Sequence, residues 1–526
     1  MRVLHWITAA SDATGAFTLA ALAVAPIITN VASARADAEK LYQEQCAVCH
    51  GADFGGYIGP GLNRDVLKWR NEAYLRAKIT TGGVGTLMPS HPSWSRKLSR
   101  QEIAELSALI KSTPVRDVVW DIDHVRNSLE ILVPDETTLP ARPTYRIDDI
   151  FDLMAVTARG HFAAGSAAKI VFFNGRSNEI VGELATGYAP HIVNYHPTQA
   201  RWAYATTDAG YLLKIDLHSL QTVRRIRVGL NGPSLAVSRD GRYIAAGSYV
   251  PNTAVILRAD TLEPVKLMQL RGIDPDGKLV EADSGAILAT PYADYFVVAL
   301  EQAGQVWIVD LAAPDMPVTQ IPNVGRHLHD AIVSPSGRHV VMSSYDDNVA
   351  VVIDLQQKAV VKRMPAGRKP HFGSGTVIKV SGRTLGVGTN IGAPPTGPSV
   401  VSVFDMDTFE VVKQIPVLGP TESPAAHPDA PYIVVDIVGR GPDAAKIQLI
   451  DKQSLEVVKT IDVGGHSQFP EYTADGRHLY VSAGYHGNKL VIYDSRTWRR
   501  VKSVSMEAPA GIFSHRRSRA VAIGLE

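Results

Sequence analysis

The sequence predicts a small all-α domain followed by a much larger all-β propeller. Three observations predict this. Helical segments surround the motif Cys46-Ala-Val-Cys49-His50 near the N-terminus. Ser99 to Ser112 reads as a capped amphipathic helix with apolar Ile103, Leu106, Leu109 and Ile110 on one face. Beyond residue 150, one strand phrase recurs as Leu212-Leu-Lys-Ile-Asp216, Val306-Trp-Ile-Val-Asp310, Val401-Ser-Val-Phe-Asp405 and Ile447-Gln-Leu-Ile-Asp451. Each copy runs apolar and then turns at Asp, as strands of a repeating β unit do.

A chain of 526 residues is too long for one small domain. Its 45% hydrophobic and 20% charged residues are ordinary for a globular protein. The net charge of +1 argues against nucleic acid and against a polybasic membrane patch. Residues 1–36 read as a secretory signal. Arg2 starts it, Phe17 to Val31 is apolar, and Ala34-Arg35-Ala36 is a cleavage site before Asp37. The competing reading is an uncleaved anchor. Pro26 and Asn30 interrupt the apolar run and favour cleavage. No stable membrane span is expected later in the chain.

Residues 37–116 form the α domain. Asp37 to Gln45 reads as a helix leading into Cys46-Ala-Val-Cys49-His50, the attachment signature of a c-type haem. The two thiols, three positions apart, reach two vinyl groups, and His50 falls under the iron. The chain has only these two cysteines, which leaves nothing for a disulfide scaffold or a zinc site. Gly51 to Leu62 is a Gly-rich loop, and Asn71 to Thr80 reads helical. Met88, in Thr86-Leu-Met-Pro89, is the candidate sixth ligand, with His91 as its competitor. A thioether ligand raises the potential and makes a closed electron-transfer centre. The order of elements is that of a class I cytochrome c. Because c-type haem is attached outside the bacterial cytoplasm, the motif also points to the periplasm. Residues 117–149, with Pro134, Pro140 and Pro143, read as a linker packed over the next domain.

Residues 150–526 contain seven full repeats and an incomplete first one, Leu153 to Gly187. Ala508 to Phe513 resembles the missing inner strand of that first unit. Joining the two ends closes a ring and predicts an eight-bladed β-propeller. Each repeat ends at a Gly turn and opens the next inner strand near the central opening. Four of these openings carry histidine: His191, His329, His371 and His466. The expectation is one central pocket. His196 and His427 read as turn residues, and His339, His478 and His486 as residues of outer strands or loops.

A cytochrome c joined to a propeller with converging histidines resembles the cytochrome cd1 nitrite reductase superfamily. The resemblance is carried by Thr186-Gly-Tyr-Ala-Pro-His191, His327-Leu-His329-Asp330, Lys369-Pro-His371-Phe-Gly-Ser-Gly375 and Pro470-Glu-Tyr472. It implies haem d1 in the propeller, with His191 as proximal iron ligand and His329 and His371 on the distal side. The compact cytochrome segment, the added His466 and the ending Pro509-Ala-Gly-Ile-Phe-Ser are similar to the NirN-type, dehydrogenase branch of that superfamily.

That branch implies oxidation of a dihydro-haem d1 propionate to an acrylate, the last step of haem d1 synthesis. His191 and His371 are then axial ligands and His466 is the general base. His329 is a hydrogen-bond partner or alternative base. Arg326 and Arg368 are candidates to pair with substrate carboxylates, and Tyr249 is a further pocket residue. The expected partners are dihydro-haem d1, an external electron acceptor, and the nitrite reductase as recipient of haem d1. Two other functions stay open: reduction of nitrite to nitric oxide, and carriage of haem d1 without turnover.

Overall fold

The computed structural model describes residues 25–516, except for residues 53, 56–60, 65–66, 68–69, 82–96, 115–119, 160–167, 188, 233, 393–398, 439–441 and 485–487. Residues 1–24 of the expected signal, both candidate sixth ligands (Met88 and His91), His486 and the Cys49 side chain lie outside what is described.

The α domain opens with one helix, Ala25–Gln45. It runs unbroken through Ala36 and Asp37 and so begins earlier than the sequence pattern suggests. Ala47–His50 is a single further turn. Glu72–Thr81 and Arg100–Ser112 complete the domain. The last helix is started by a reciprocal capping box. The Ser99 amide donates to Glu102 Oε2 (2.7 Å), and the Glu102 amide donates to Ser99 Oγ (3.2 Å). Its Ile103, Leu106, Leu109 and Ile110 are buried against Leu41, Tyr42, Cys46, Leu75 and Ile79.

Residues 120–149 are a packed strap rather than a bare connection. Ile122–Asn127 is a helix whose Val125 is fully buried. Glu130–Ile131 adds a fifth strand to the second blade by pairing with Gln221–Arg227. Glu136 accepts from both Lys214 and Arg224 at 2.8 Å, which satisfies a lysine that is almost wholly buried.

The rest is a ring of eight antiparallel sheets. Blades 2 to 8 are built from consecutive strands. Their first strands are Pro190–Tyr195, Leu235–Val237, Ser284–Ala289, Leu328–Val333, Pro370–Val380, Pro424–Ala425 and Ser467–Tyr472. Blade 1 takes Leu153–Ala158, Ala168–Asn174 and Glu179–Gly187 from the start of the propeller, and Pro509–Ser514 from its end. The closing register pairs Val156 with Ile512 and Ala155 with Phe513. Each first strand touches that of the next blade, all the way round.

This stacking explains the repeated phrase. Middle strands such as Val349–Asp354 and Gln305–Asp310 are covered on both faces by neighbouring blades, so they run apolar instead of alternating. Outer strands such as Glu456–Asp462 are mostly exposed and carry the polar residues. Gly285 allows close approach between blades 4 and 5. A Cβ there would lie 2.7 Å from the His329 carbonyl oxygen. A separate hairpin, Arg271–Ile273 with Leu279–Glu281, stands between blades 3 and 4.

Closure makes a prediction. Ending the chain after Ala508 removes the strand that covers the fully buried Met154 and Val156 and leaves an unpaired apolar edge. The truncated protein should aggregate on size-exclusion chromatography and lose its cooperative thermal transition. A soluble monomer with an unchanged midpoint contradicts the closure.

Candidate active site

In a four-stranded antiparallel blade, the first strand starts and the second strand ends at the same face. Residues at these two positions therefore share one mouth of the ring. Blade 1 brings Arg159 there, blade 2 His191 and Asp208, blade 3 Tyr249 and blade 4 Glu301. Blade 5 brings His327, His329, Asp330 and Tyr345, and blade 6 His371. Blade 7 brings Glu422 and Asp436, and blade 8 His466 and Gln468. Blades 2 and 6 are four apart in a ring of eight, so His191 and His371 enter from opposite walls.

Backbone strain marks three of these starts. Ala189, His327 and Lys369 have φ of 27°, 56° and 46°, each two residues before a mouth histidine. A non-glycine residue in that region costs on the order of 1–3 kcal/mol. The same left-handed step recurs before His191, His329 and His371.

The contacts join the histidines into one network. Asp330 Oδ2 lies 3.2 Å from His371 Nδ1 and 3.7 Å from His329 Nδ1. The Ser343 hydroxyl (2.7 Å) and the Phe372 amide (3.1 Å) donate to its other oxygen. His371 Nδ1 also donates to the Glu422 carbonyl (3.0 Å). Glu301 faces His327 Nε2 at 3.3 Å and His329 Nε2 at 3.9 Å, and accepts from the Tyr249 hydroxyl at 3.4 Å. Gln468 donates to the Glu422 carboxylate at 2.7 Å. Arg159 donates to Asp208 (3.0 Å) and to His191 Nδ1 (3.2 Å), and Asp208 Oδ1 stands 3.6 Å from the same nitrogen.

These surroundings divide the histidines by charge. Burial lowers the His191 pKa, Arg159 adds to that, and Asp208 only partly opposes it. His191 is therefore neutral near pH 7. Burial would lower His329 too, but Asp330, then Glu301 and Glu422, overcome it and raise its pKa to about 9. The Asp330 carboxyl, despite burial, is held far below its usual range by His371 and His329. Burial and the Glu422 carboxylate push Asp436 up to about 7, against the amides of Ser423, Glu422 and Phe469. Burial and Glu301 keep the Tyr249 phenol well above its usual value.

The expected residues fall into two groups. His191, His329, His371 and Tyr249 join this network, and His466 precedes the first strand of blade 8 on the same mouth. The two arginines do not join it. Arg326 is exposed, and both of its terminal nitrogens bind Asp276 of the extra hairpin. Arg368 is exposed and has no ion pair among the described residues. His329 as an alternative base also needs correction, because its acidic neighbours keep it protonated at neutral pH. Arg159, Asp208, Glu301, Tyr345 and Glu422 escaped the sequence reading. Asp208, Glu301 and Tyr345 each directly follow the second strand of a blade, and that shared register was the available signal. His196 and His427 are turn residues as expected. His196 Nδ1 accepts the amides of Thr198 and Gln199, and His427 Nδ1 accepts that of Asp429.

In the α domain, the His50 amide donates to the Cys46 carbonyl (2.9 Å), so the two residues sit one helical turn apart. Both are buried at the apolar core, and the Tyr42 hydroxyl holds the turn by donating to the Gly51 carbonyl (2.8 Å). A buried thiol and imidazole on one turn fit a covalently attached haem. At the mouth, a ring of imidazoles and donors with buried Tyr345 and His329 polar atoms that lack hydrogen bonds among the described residues fits a large polar-edged ligand.

The fold and the site together define a class: a c-type cytochrome fused to an eight-bladed propeller with a histidine-ringed mouth. Residues 149–518 match the family model for the cytochrome D1 heme domain, and residues 33–110 match that for cytochrome c oxidase, cbb3-type, subunit III. The chain belongs to the cytochrome D1 heme domain family. It is 29% identical to the dihydro-heme d1 dehydrogenase of Pseudomonas aeruginosa, over 91% of this chain and 93% of that protein. It is 26% identical to a nitrite reductase of Stutzerimonas stutzeri, over 68% of this chain and 64% of that one. A solved structure described as dihydro-heme d1 dehydrogenase NirN in complex with DHE aligns with a TM-score of 0.80 at 29% identity, covering 91% of this chain and 99% of that one.

The charge on His329 has a testable consequence. Its folded pKa of about 9 lies above the ordinary value near 6.5. The fold therefore favours its protonated form. That stabilisation is fully present below about pH 6.5 and is lost as pH rises through about 9. His329→Gln should flatten the fall in thermal midpoint between those two pH values, relative to the parent. Parallel curves for parent and variant contradict the assignment.

Proposed function

We propose that this protein is a dihydro-haem d1 dehydrogenase, which binds the tetrapyrrole in the propeller mouth and oxidises a propionate side chain to an acrylate. The CH2–CH2 unit becomes CH=CH, and two electrons and two protons leave. The observation that carries this reading is the fourth histidine. Blade 8 begins its first strand directly after His466, which adds a histidine to the mouth that also carries a neutral His191, His371 on the opposite wall and a protonated His329.

In this reading His191 and His371 hold the substrate iron from opposite sides. His371 would bind through Nε2, because its Nδ1 donates to the Glu422 carbonyl. For His191 to bind through Nε2, its proton must sit on Nδ1. Asp208 Oδ1, 3.6 Å away, would then accept a hydrogen bond from Nδ1–H, and Arg159, a pure donor, must turn aside. His466 takes one of the two protons from the side chain as general base, and the other is released to solvent. His329, being cationic, serves as a hydrogen-bond donor to the substrate and not as a base. Haem c, which Cys46 and Cys49 would hold with His50 as ligand, would supply a one-electron acceptor that passes the two electrons one at a time to the external acceptor. No helix among the described residues is long and apolar enough to cross a membrane. The reading includes export to the periplasm after loss of residues 1–36, an external electron acceptor, and delivery of haem d1 to a nitrite reductase in denitrification.

A second reading, nitrite reduction to nitric oxide, is favoured by the protonated His329 beside His371, since such a pair can protonate a leaving oxygen. One experiment separates the two. The purified protein is mixed anaerobically with dihydro-haem d1 and an electron acceptor, and the absorbance spectrum is followed. The dehydrogenase reading predicts conversion to haem d1, and predicts that His466→Ala abolishes conversion while binding persists. Nitrite turnover by the haem-d1-loaded protein without conversion supports the reductase. Binding with neither activity marks a carrier. A full conversion rate in His466→Ala removes that residue from the mechanism.

A further inference from the structure

Arg227 ends the outer strand of blade 2, Gln221–Arg227, opposite Tyr211 and therefore at the mouth face of the ring. The strap grips its backbone. The Arg227 amide donates to Ser128 Oγ (2.9 Å), and the Ser128 hydroxyl lies 3.2 Å from the Arg227 carbonyl oxygen. Its guanidinium carbon stands 5.6 Å from the Tyr211 ring. The fork then reaches two backbone carbonyls. Nε donates to Ala209 (3.3 Å), within the same blade, and Nη2 donates to Gly55 (3.2 Å), in the α domain.

Each carbonyl adjoins one of the two sites already described. Ala209 directly follows Asp208, whose carboxylate is 3.6 Å from His191 Nδ1. Gly55 lies five residues after His50, in the loop that follows the haem-attachment motif. That loop is held in one shape. Phe54 has a φ of 63°, a left-handed conformation that is an outlier for an aromatic residue. Its ring stacks on Tyr42 at 3.7 Å, and its carbonyl accepts from the Leu62 amide (3.0 Å). Phe54 also packs in the same apolar cluster as Cys46. Strain of this kind persists where the surroundings require one backbone direction, and the Gly55 peptide that follows it is the one that meets blade 2.

We infer that Arg227 is a positioning residue for electron exchange, which docks the haem-attachment loop of the cytochrome on the mouth edge of blade 2 and so fixes the separation of the two haem sites. The guanidinium suits this task. It is planar and carries its donors at separate points, so one side chain ties two carbonyls at a set spacing. Its own position is set by the strap and by Tyr211, so the dock is referred to the rigid blade and not to a mobile side chain. The docking blade is the one that carries His191, four blades from His371. This inference rests on a tetrapyrrole bound in the mouth, and it holds for either direction of electron flow.

Arg227→Met keeps an unbranched stem beside Tyr211 and removes every donor, so it tests the dock in the full-length, haem-c-loaded protein. Haem attachment at Cys46 and Cys49 uses both cysteines of the chain, which leaves introduced thiols for labelling. Spin labels on Ala73→Cys and Glu179→Cys, both exposed positions, report the distance between the domains without any tetrapyrrole. The parent should give one narrow distance distribution, and Arg227→Met a broad one. Haem d1 is then bound, haem c is reduced by a light pulse, and electron exchange between the two is followed by absorbance. Exchange in the variant should be slower by on the order of tenfold to a hundredfold, as expected when reacting groups are displaced by about 1 Å. Its Kd for haem d1 should change by less than about threefold. A distribution as narrow as the parent's, or an unchanged exchange rate, overturns the inference. So does a slower exchange matched by an equal rise in Kd, which marks damage to the mouth through Ala209. If the parent binds no haem d1, the reading of the mouth falls and takes this inference with it, whereas a parent that binds and exchanges, with an unaffected variant, overturns only the role of Arg227.

Discussion

The pairing of Pro509–Ser514 with Leu153–Ala158 is the interaction on which the rest of the molecule depends. It completes the first blade from the two ends of the propeller and turns a row of sheets into a ring. Only in a closed ring do the first strands of all blades face one axis. Closure also sets the angular positions, since a blade's opposite partner is always four blades away. His191 and His371 belong to blades on opposite sides of the ring for that reason and for no local one. The same closure covers the apolar middle strands on both faces, which is why the recurring phrase is a run of Val, Ile and Leu.

Within the mouth, identical side chains acquire different chemistry from their neighbours. Burial lowers the His191 pKa and Arg159 adds to this, whereas at His329 the same burial is overcome by Asp330, Glu301 and Glu422. A neutral imidazole can bind iron, and a protonated one can hold an anion or donate a proton. Asp330 links His329 and His371 and is itself fixed by Ser343 and Phe372. The left-handed residues Ala189, His327 and Lys369 sit at the same register before three of these histidines. Strain of that kind persists where the surrounding structure requires one side-chain direction.

Much of this was legible in the sequence, because repetition exposes register. Recurring strand phrases placed the blades, the Pro-Ala-Gly-Ile-Phe segment foretold the closing strand, and Ser99 with Glu102 marked a helix start. The histidines at first-strand starts were visible for the same reason. Their partners were not. Asp208, Glu301 and Glu422 act on histidines of other blades or other strands, at separations that no local pattern encodes. His329 looked like a possible base until its acidic neighbours were in place. Arg326 looked like a pocket arginine because the hairpin carrying Asp276 lies outside the repeat. The stretch at residues 117–149 read as a linker packed over the propeller, but its short strand was not foreseen, because it takes meaning only from the edge of blade 2.

The central claim is that opposed histidines of blades 2 and 6 hold the iron of the tetrapyrrole. Electron paramagnetic resonance of the oxidised complex with haem d1 tests it directly. The parent should give a low-spin signal with two axial nitrogens. His191→Ala and His371→Ala should each lose that signal to a five-coordinate, high-spin one, while His466→Ala retains it. A low-spin signal that survives His371→Ala and disappears in His466→Ala would contradict the account and move the second ligand to blade 8.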